Sequence, residues 1–286
     1  MSPRVLILRA PGTNCDRETA FAFETAGARA DSVHLNRLLE NPRLAAAYQI
    51  LCIPGGFSYG DDICAGRIFG NQMRHHLRDT LLAFKDAGKL ILGICNGFQI
   101  LIKSGVLLPD RADEPIATLT LNESGKFEDR WVHLRVASPK CVFLSGVERM
   151  YLPVAHAEGK FVARDEATLP SLDAAGQLVL RYALSDGQRS EVRGQRSEVA
   201  RHVSSSGPPT SDLRLPTSDS PVPYPACPNG AQLAVAGICD ESGRVFGLMP
   251  HPERHIDPTQ HPRWTRERRE RGDGLAVFEN AVRFFS

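Results

Sequence analysis

The chain has 286 residues, 42% of them hydrophobic, and a formal charge of +1. That length allows one large domain or two small ones with a sizeable core, and the near-neutral balance gives no reason to expect nucleic acid or a strongly acidic partner surface. Seven cysteines, at 15, 52, 64, 95, 141, 227 and 239, form no Cys-x-x-Cys pair, which argues against a disulfide framework and a zinc knuckle.

The N-terminal apolar segment is too short for a signal peptide, and no apolar run approaches a membrane span. A reducing, cytoplasmic setting is therefore expected, in which a free reactive thiol is tolerable. Residues 5–8 read as a buried strand, followed by a turn at Pro11-Gly12-Thr13-Asn14. Residues 16–27 have helical character and a Gly stop; 31–35 read as a weaker strand. The apolar run 50–53 is stopped by Pro54-Gly55-Gly56 and leads into the polar loop Phe57-Ser58-Tyr59-Gly60-Asp61. From Arg67 to Gly88, Phe69, Met73, Leu77, Leu81 and Phe84 recur at near-helical spacing, as core-packing residues do.

The run from Lys89 to Leu101 changes character in its middle. It starts as a buried strand, passes through Gly93-Ile94-Cys95-Asn96-Gly97, and resumes with Phe98, Leu101 and Ile102 at helical spacing. Small residues around Cys95 allow a sharp strand-to-helix turn, the mechanics of a nucleophile elbow with sulfur in place of oxygen. A thiol placed there points at a helix N-terminus, whose partial positive charge favours thiolate. On the elbow alone, Cys95 is either a nucleophile or a small buried residue closing a strand.

Strands alternating with helices over the first hundred residues predict a parallel sheet covered on both faces. Active sites of such sheets lie at the carboxyl ends of strands, where both the Gly55-Gly56 loop and Cys95 fall. Short strands at 117–121, 131–137, 160–163 and 178–184 predict an antiparallel extension. Residues 234–238 and 245–249 read as a hairpin around Asp240-Glu241-Ser242-Gly243, delivering the chain to Pro250-His251-Pro252-Glu253-Arg254. The mixed-charge run 263–271 reads as a solvated face. After Asp273 a last helix carries Leu275, Phe278, Val282 and Phe285 on one side.

Residues 185–220 break the pattern. Gly187-Gln188-Arg189-Ser190-Glu191-Val192 is repeated as Gly194-Gln195-Arg196-Ser197-Glu198-Val199, with balanced charge and no aromatic residue. A segment that buries so little does not offset the cost of ordering it, so a disordered surface insertion within a single domain spanning 1–286 is expected.

A cysteine nucleophile needs a base, and the base an orienting group. Among nine histidines, His251 follows an apolar strand, is braced by two prolines, and has Glu253 two residues on. In an extended segment these two side chains point the same way. Read by itself, the motif is better taken as a Pro-rich turn with a surface histidine.

Together, Gly93-Ile94-Cys95-Asn96-Gly97-Phe98-Gln99 and Met249-Pro250-His251-Pro252-Glu253-Arg254 resemble the triad-type (class I) glutamine amidotransferases. More narrowly, the chain resembles the glutaminase subunits of phosphoribosylformylglycinamidine synthases. That likeness adds Pro11 to Asp16, Gly55 to Asp61, Ala155 to Phe161 and Tyr224 to Gly230, and skips only 185–220. Two departures bear on loop detail and partner contacts. Ala157 stands where the family usually has Gly, and Asp62-Ile63-Cys64 replaces a more usual aromatic-Leu-Arg.

The resemblance implies a flavodoxin-like, doubly wound, mostly parallel sheet with a small antiparallel extension. It implies glutamine hydrolysis by Cys95, His251 and Glu253, with backbone N–H groups of Gly56 and Asn96 holding the oxyanion. Gly55, Phe57, Gln99 and His156 are further residues expected against the substrate. No metal and no cofactor are expected in this chain. The ammonia is expected to pass to a large ATP-binding synthetase subunit, which carries ATP and Mg, with a small accessory subunit beside it. The absence of a Gly-x-x-x-x-Gly-Lys-[Ser/Thr] loop is consistent with that division. Two rival classes are a flavodoxin-like cysteine hydrolase or peptidase and a non-catalytic binding subunit. The first commonly places His directly after the nucleophile, where this chain has Asn96; the second has no need of an intact Cys95, His251 and Glu253.

Overall fold

A computed structural model describes residues 2–111, 114–185 and 222–286. The expected insertion at 185–220 lies, apart from Ser185, outside the described residues. The remainder is built on a nine-stranded sheet of order β2-β1-β3-β4-β11-β10-β9-β6-β7. Its parallel half comprises β1 (Arg4–Arg9), β2 (Arg29–His34), β3 (Ile50–Ile53), β4 (Leu90–Ile94) and β11 (Val245–Leu248). Every residue of β3, β4 and β11 is buried, as their unbroken apolar runs require of strands covered on both faces.

The cover comes from helix pairs. Helix α1 (Asp16–Thr25) packs beside the C-terminal helix Leu275–Arg283, where the Phe23 and Phe278 rings meet edge-on at 4.9 Å. Helix α3 (Arg67–Gln72) packs along α5 (Asn96–Ser104). The apolar stripe from Phe69 to Phe84 is buried as expected. Its spacing of four, four, four and three drifts from the 3.6 residues of a helical turn. The chain absorbs the drift in a π turn at Met73–Leu77 between α3 and α4 (Arg78–Asp86).

Beyond β11 the sheet turns antiparallel through β10 (Val235–Cys239), β9 (Leu180–Ala183), β6 (Glu128–Val136) and β7 (Arg149–His156). The antiparallel strands thus continue the main sheet. A separate two-stranded ribbon joins β5 (Ala117–Thr120) to β8 (Lys160–Ala163). Sequence reading did not anticipate β7, where Pro153 reads against a strand. The strand tolerates that proline because it is the edge of the sheet. Among the described residues no helix is long and apolar enough to cross a membrane.

Candidate active site

Because β1, β3, β4 and β11 run parallel, their carboxyl ends open on one side of the sheet. They deliver the turn at 11–15, the loop at 54–57, Cys95 and the segment at 249–253 to that edge. Strand β4 lies between β3 and β11, so Cys95 emerges between the glycine loop and His251.

The elbow is tightly built. Cys95 caps α5 with φ 51° and ψ −105°, a backbone region that costs a non-glycine residue ~1–3 kcal/mol. Its N–H donates to Leu248 O at 2.8 Å, and its thiol approaches Ala155 O at 3.7 Å. Gly97 is dictated by close approach, since a Cβ there would lie 1.9 Å from Ile53 O. The N–H of Asn96, at the first position of α5, has no acceptor within its helix.

His251 is buried and its N–H donates to Pro153 O at 2.9 Å. Its Nδ1 pairs with Glu253 Oε1 at 2.6 Å, with both side chains out of solvent. Burial opposes the imidazolium. The Glu253 carboxylate, Cys95 and Cys15 outweigh it and hold the His251 pKa well above the usual histidine range. With Nδ1 occupied, Nε2 has no hydrogen-bond partner among the described residues, and the Cys95 thiol lies within interaction range of this ring.

The opposing wall is the glycine loop. Gly56 has φ 139°, and a Cβ on it would sit 2.7 Å from Asn14 N. Phe57 N–H donates to Gly12 O at 3.0 Å, so residues 12–14 form the loop's floor. A polar web ties the loop to the elbow. Ser58 Oγ donates to Asn96 Oδ1 at 2.7 Å, and Asn96 Nδ2 donates to Gln99 Oε1 at 3.0 Å and Asp61 Oδ1 at 3.3 Å. Asp61, in turn, accepts from Gly66 N–H at 3.2 Å.

The four residues expected against substrate fall in different places. Phe57 is exposed and stacks on Phe127 at 6.5 Å. Gly55 is buried against His251 and Cys15, where a Cβ would lie 2.8 Å from His251 Cε1. Gln99 is buried and spends its amide on Asn96 and on Glu158 O. His156 is buried too, its Nδ1 at 3.1 Å from Asn122 Oδ1. Burial, and then the positive charge of His251, push its pKa down to about 3, which makes it a weak base beside His251.

Sequence reasoning missed several supporting residues. Asn122 Nδ2 donates to His156 O at 2.8 Å and its Oδ1 accepts from Gly159 N–H at 3.1 Å. Asn229 Nδ2 donates to Gly159 O at 2.7 Å. These two asparagines fix the 156–159 loop that backs the thiol. At the divergent position 64, the Cys64 thiol donates to Glu158 Oε2 at 3.2 Å, and Ala65 N–H donates to Glu158 Oε1 at 3.2 Å. Cys15, Asn229 and Arg254 were visible only inside longer motifs, yet the Cys15 thiol sits beside His251 and Glu253, with Arg254 Nη2 donating to it at 3.2 Å.

A cysteine at an elbow and a histidine fixed by a carboxylate are parts of the arrangement that acyl transfer from an amide requires. Comparison with known proteins points the same way. A family model for the CobB/CobQ-like glutamine amidotransferase domain matches residues 2–195 and 199–285. The chain is 44% identical to phosphoribosylformylglycinamidine synthase subunit PurQ of Dehalococcoides mccartyi, over 98% of this chain and 97% of that one. It is 38% identical to the same subunit of Methanococcus maripaludis, over 99% and 98%. Among solved structures it is similar to a chain of PurLQS from Thermotoga maritima, with TM-score 0.66, 29% identity and 100% of both chains covered. The chain therefore belongs to the CobB/CobQ-like glutamine amidotransferases, and within them to the PurQ subunits of phosphoribosylformylglycinamidine synthase.

Proposed function

We propose that Cys95, His251 and Glu253 hydrolyse glutamine in this subunit, releasing ammonia for purine biosynthesis. The observation that carries this reading is the buried His251–Glu253 pair, 2.6 Å apart, beside a cysteine held at φ 51° on a strand-to-helix turn. Cys95 Sγ attacks the side-chain amide carbon. Charge gathers on the amide oxygen, and the N–H groups of Gly56 and Asn96 receive it; one such donor is typically worth ~2.7–4 kcal/mol. His251 hands its proton to the departing ammonia, leaving a γ-glutamyl thioester on Cys95. It then takes a proton from water, whose oxygen attacks the thioester and frees glutamate. Glu253 keeps Nδ1 protonated and the ring in place throughout.

The ammonia goes to a large synthetase subunit that activates formylglycinamide ribonucleotide with ATP and Mg, assembled with a small accessory subunit in the cytoplasm. The name PurLQS for the Thermotoga maritima assembly supports such a partnership. The test is Cys95→Ala in the reconstituted complex. Glutamine-dependent synthesis should vanish while synthesis from ammonium salts survives. Loss of both, with the complex intact, overturns this division of labour.

A further inference from the structure

Cys15 is a buried thiol that the proposed chemistry does not use. Three segments of the site meet on it. Its N–H donates to Gly55 O at 3.3 Å, which ties the start of α1 to the glycine loop. Its Sγ accepts from Arg254 Nη2 at 3.2 Å, while Arg254 Nε donates to Glu18 Oε1 at 2.9 Å. The same Sγ lies within 4.8 Å of a ring nitrogen of His251 and a carboxylate oxygen of Glu253.

Thiol and imidazole face each other across the bare side of Gly55. A Cβ on that glycine would stand 3.1 Å from Cys15 Sγ and 2.8 Å from His251 Cε1. A residue that only filled space here would need no polar partner, yet this thiol also donates to Asn14 Oδ1 at 3.3 Å. Burial pushes its pKa up to about 11 against the pull of His251, so it acts as a neutral S–H, able to donate and accept at once.

We propose that Cys15, itself anchored by Arg254 and Asn14, is a positioning residue for His251, bracing the imidazole across the bare side of Gly55 so that Nε2 stays aimed at Cys95. The titratable groups that act on His251 come from several elements: Glu253 from its own loop, Cys95 from the elbow, Cys15 from the start of α1, and His156 from β7; Arg254 reaches this cluster through its bond to Cys15. Of these, Glu253, Cys95 and Cys15 favour the imidazolium. Removing Cys15 therefore loosens the ring and weakens its hold on the proton.

This inference rests on the Cys95–His251–Glu253 reading, and the experiment separates the two. Ammonia release from glutamine is measured across pH with the assembled complex for wild type, Cys15→Ala and Cys15→Ser, and synthesis from ammonium salts controls for folding and assembly. Cys15→Ala should lose about tenfold in kcat with KM nearly unchanged, as expected when a reacting group is slightly misplaced. Its alkaline limb in kcat/KM should move to lower pH. Cys15→Ser, which retains an acceptor for Arg254, should recover most of both. Should Cys15→Ala fail to assemble, Arg254→Lys, which withdraws the guanidinium from the thiol, takes its place and should also lower kcat. A folded Cys15→Ala with wild-type kcat and pH profile overturns the proposal. So does equal loss in the Ala and Ser variants with an unmoved alkaline limb, since that marks a mere core filler. A wild-type profile insensitive to His251→Ala would instead sink the triad reading.

Discussion

Ser58 and Asn96 join the glycine loop to the start of α5 through one acceptor: Asn96 Oδ1 receives the Ser58 hydroxyl at 2.7 Å and the Ser58 N–H at 3.3 Å. Both residues are buried. The loop that carries Gly56 and the helix start that carries Asn96 are thus held at a fixed separation by side chains outside the reaction itself.

Ser58→Ala removes the shorter of those bonds and leaves Asn96 Oδ1 with one weak donor. Kinetics of glutamine hydrolysis should show kcat falling about tenfold, less than the 10²–10³ lost when an oxyanion donor is deleted outright, with KM little changed. An unaltered kcat would show that the floor at residues 12–14 holds the loop unaided.

Gly97→Ala tests the elbow's packing. The added methyl would stand 1.9 Å from Ile53 O, and neither β3 nor β4 can retreat inside a sheet buried on both faces. A loss above about 3 kcal/mol is expected from such overpacking, equivalent to a fall in Tm of roughly 6–12 °C. A melt within 2 °C of wild type, about 0.5–1 kcal/mol on the same scale, would mean that the elbow shifts freely.

Cys95 itself should be stored strain. At φ 51° and ψ −105° any side chain is disfavoured, whereas glycine is at ease there. Both Cys95→Ala and Cys95→Gly should lack glutaminase activity, but the glycine variant should melt higher than the alanine variant, by about 1 kcal/mol of stability. The reverse order in thermal melts would refute the strain account.

His156 should make the protein acid-sensitive. Its folded pKa is lowered to about 3 from an ordinary value of about 6.5. The unfolded chain therefore binds a proton at this site before the folded one does. The stability it contributes is complete above about pH 6.5 and drains away as pH falls toward 3, by at most about 1.4 kcal/mol per pH unit. His156→Asn should flatten that part of the curve in a series of melts between pH 7 and 4. An identical slope for the two proteins would show that other groups govern it.

Much of this architecture was legible in the amino-acid order because the parallel strands are buried on both faces. Runs such as Ile50–Ile53 and Leu90–Ile94 have no polar alternation to disguise them. The pairing of His251 with Glu253 was also legible, though the expected extended segment is only half present: the chain enters a 3₁₀ turn at Pro252–Arg254, and the two side chains meet across it. Asn122 escaped notice, and Cys15 and Asn229 were visible only inside longer motifs, for a common reason. Each acts on segments far away in sequence, and hydrogen bonds from one loop to another leave no periodic trace. Spacing likewise does not reveal that the Gln99 amide and the His156 ring bond to neighbouring loops.

Placing Cys95 just past the end of the strand between β3 and β11 has a consequence for how this site tolerates change. Neighbouring strands are spaced about 4.8 Å apart by main-chain hydrogen bonding, so the backbone itself gauges the width of the catalytic cleft. Helices on either face can exchange one apolar residue for another, or slide slightly, without altering that gauge. A single residue inserted into β3, β4 or β11 has the opposite effect: it turns every later side chain to the wrong face and carries the glycine loop, the thiol or the imidazole out of line at one stroke.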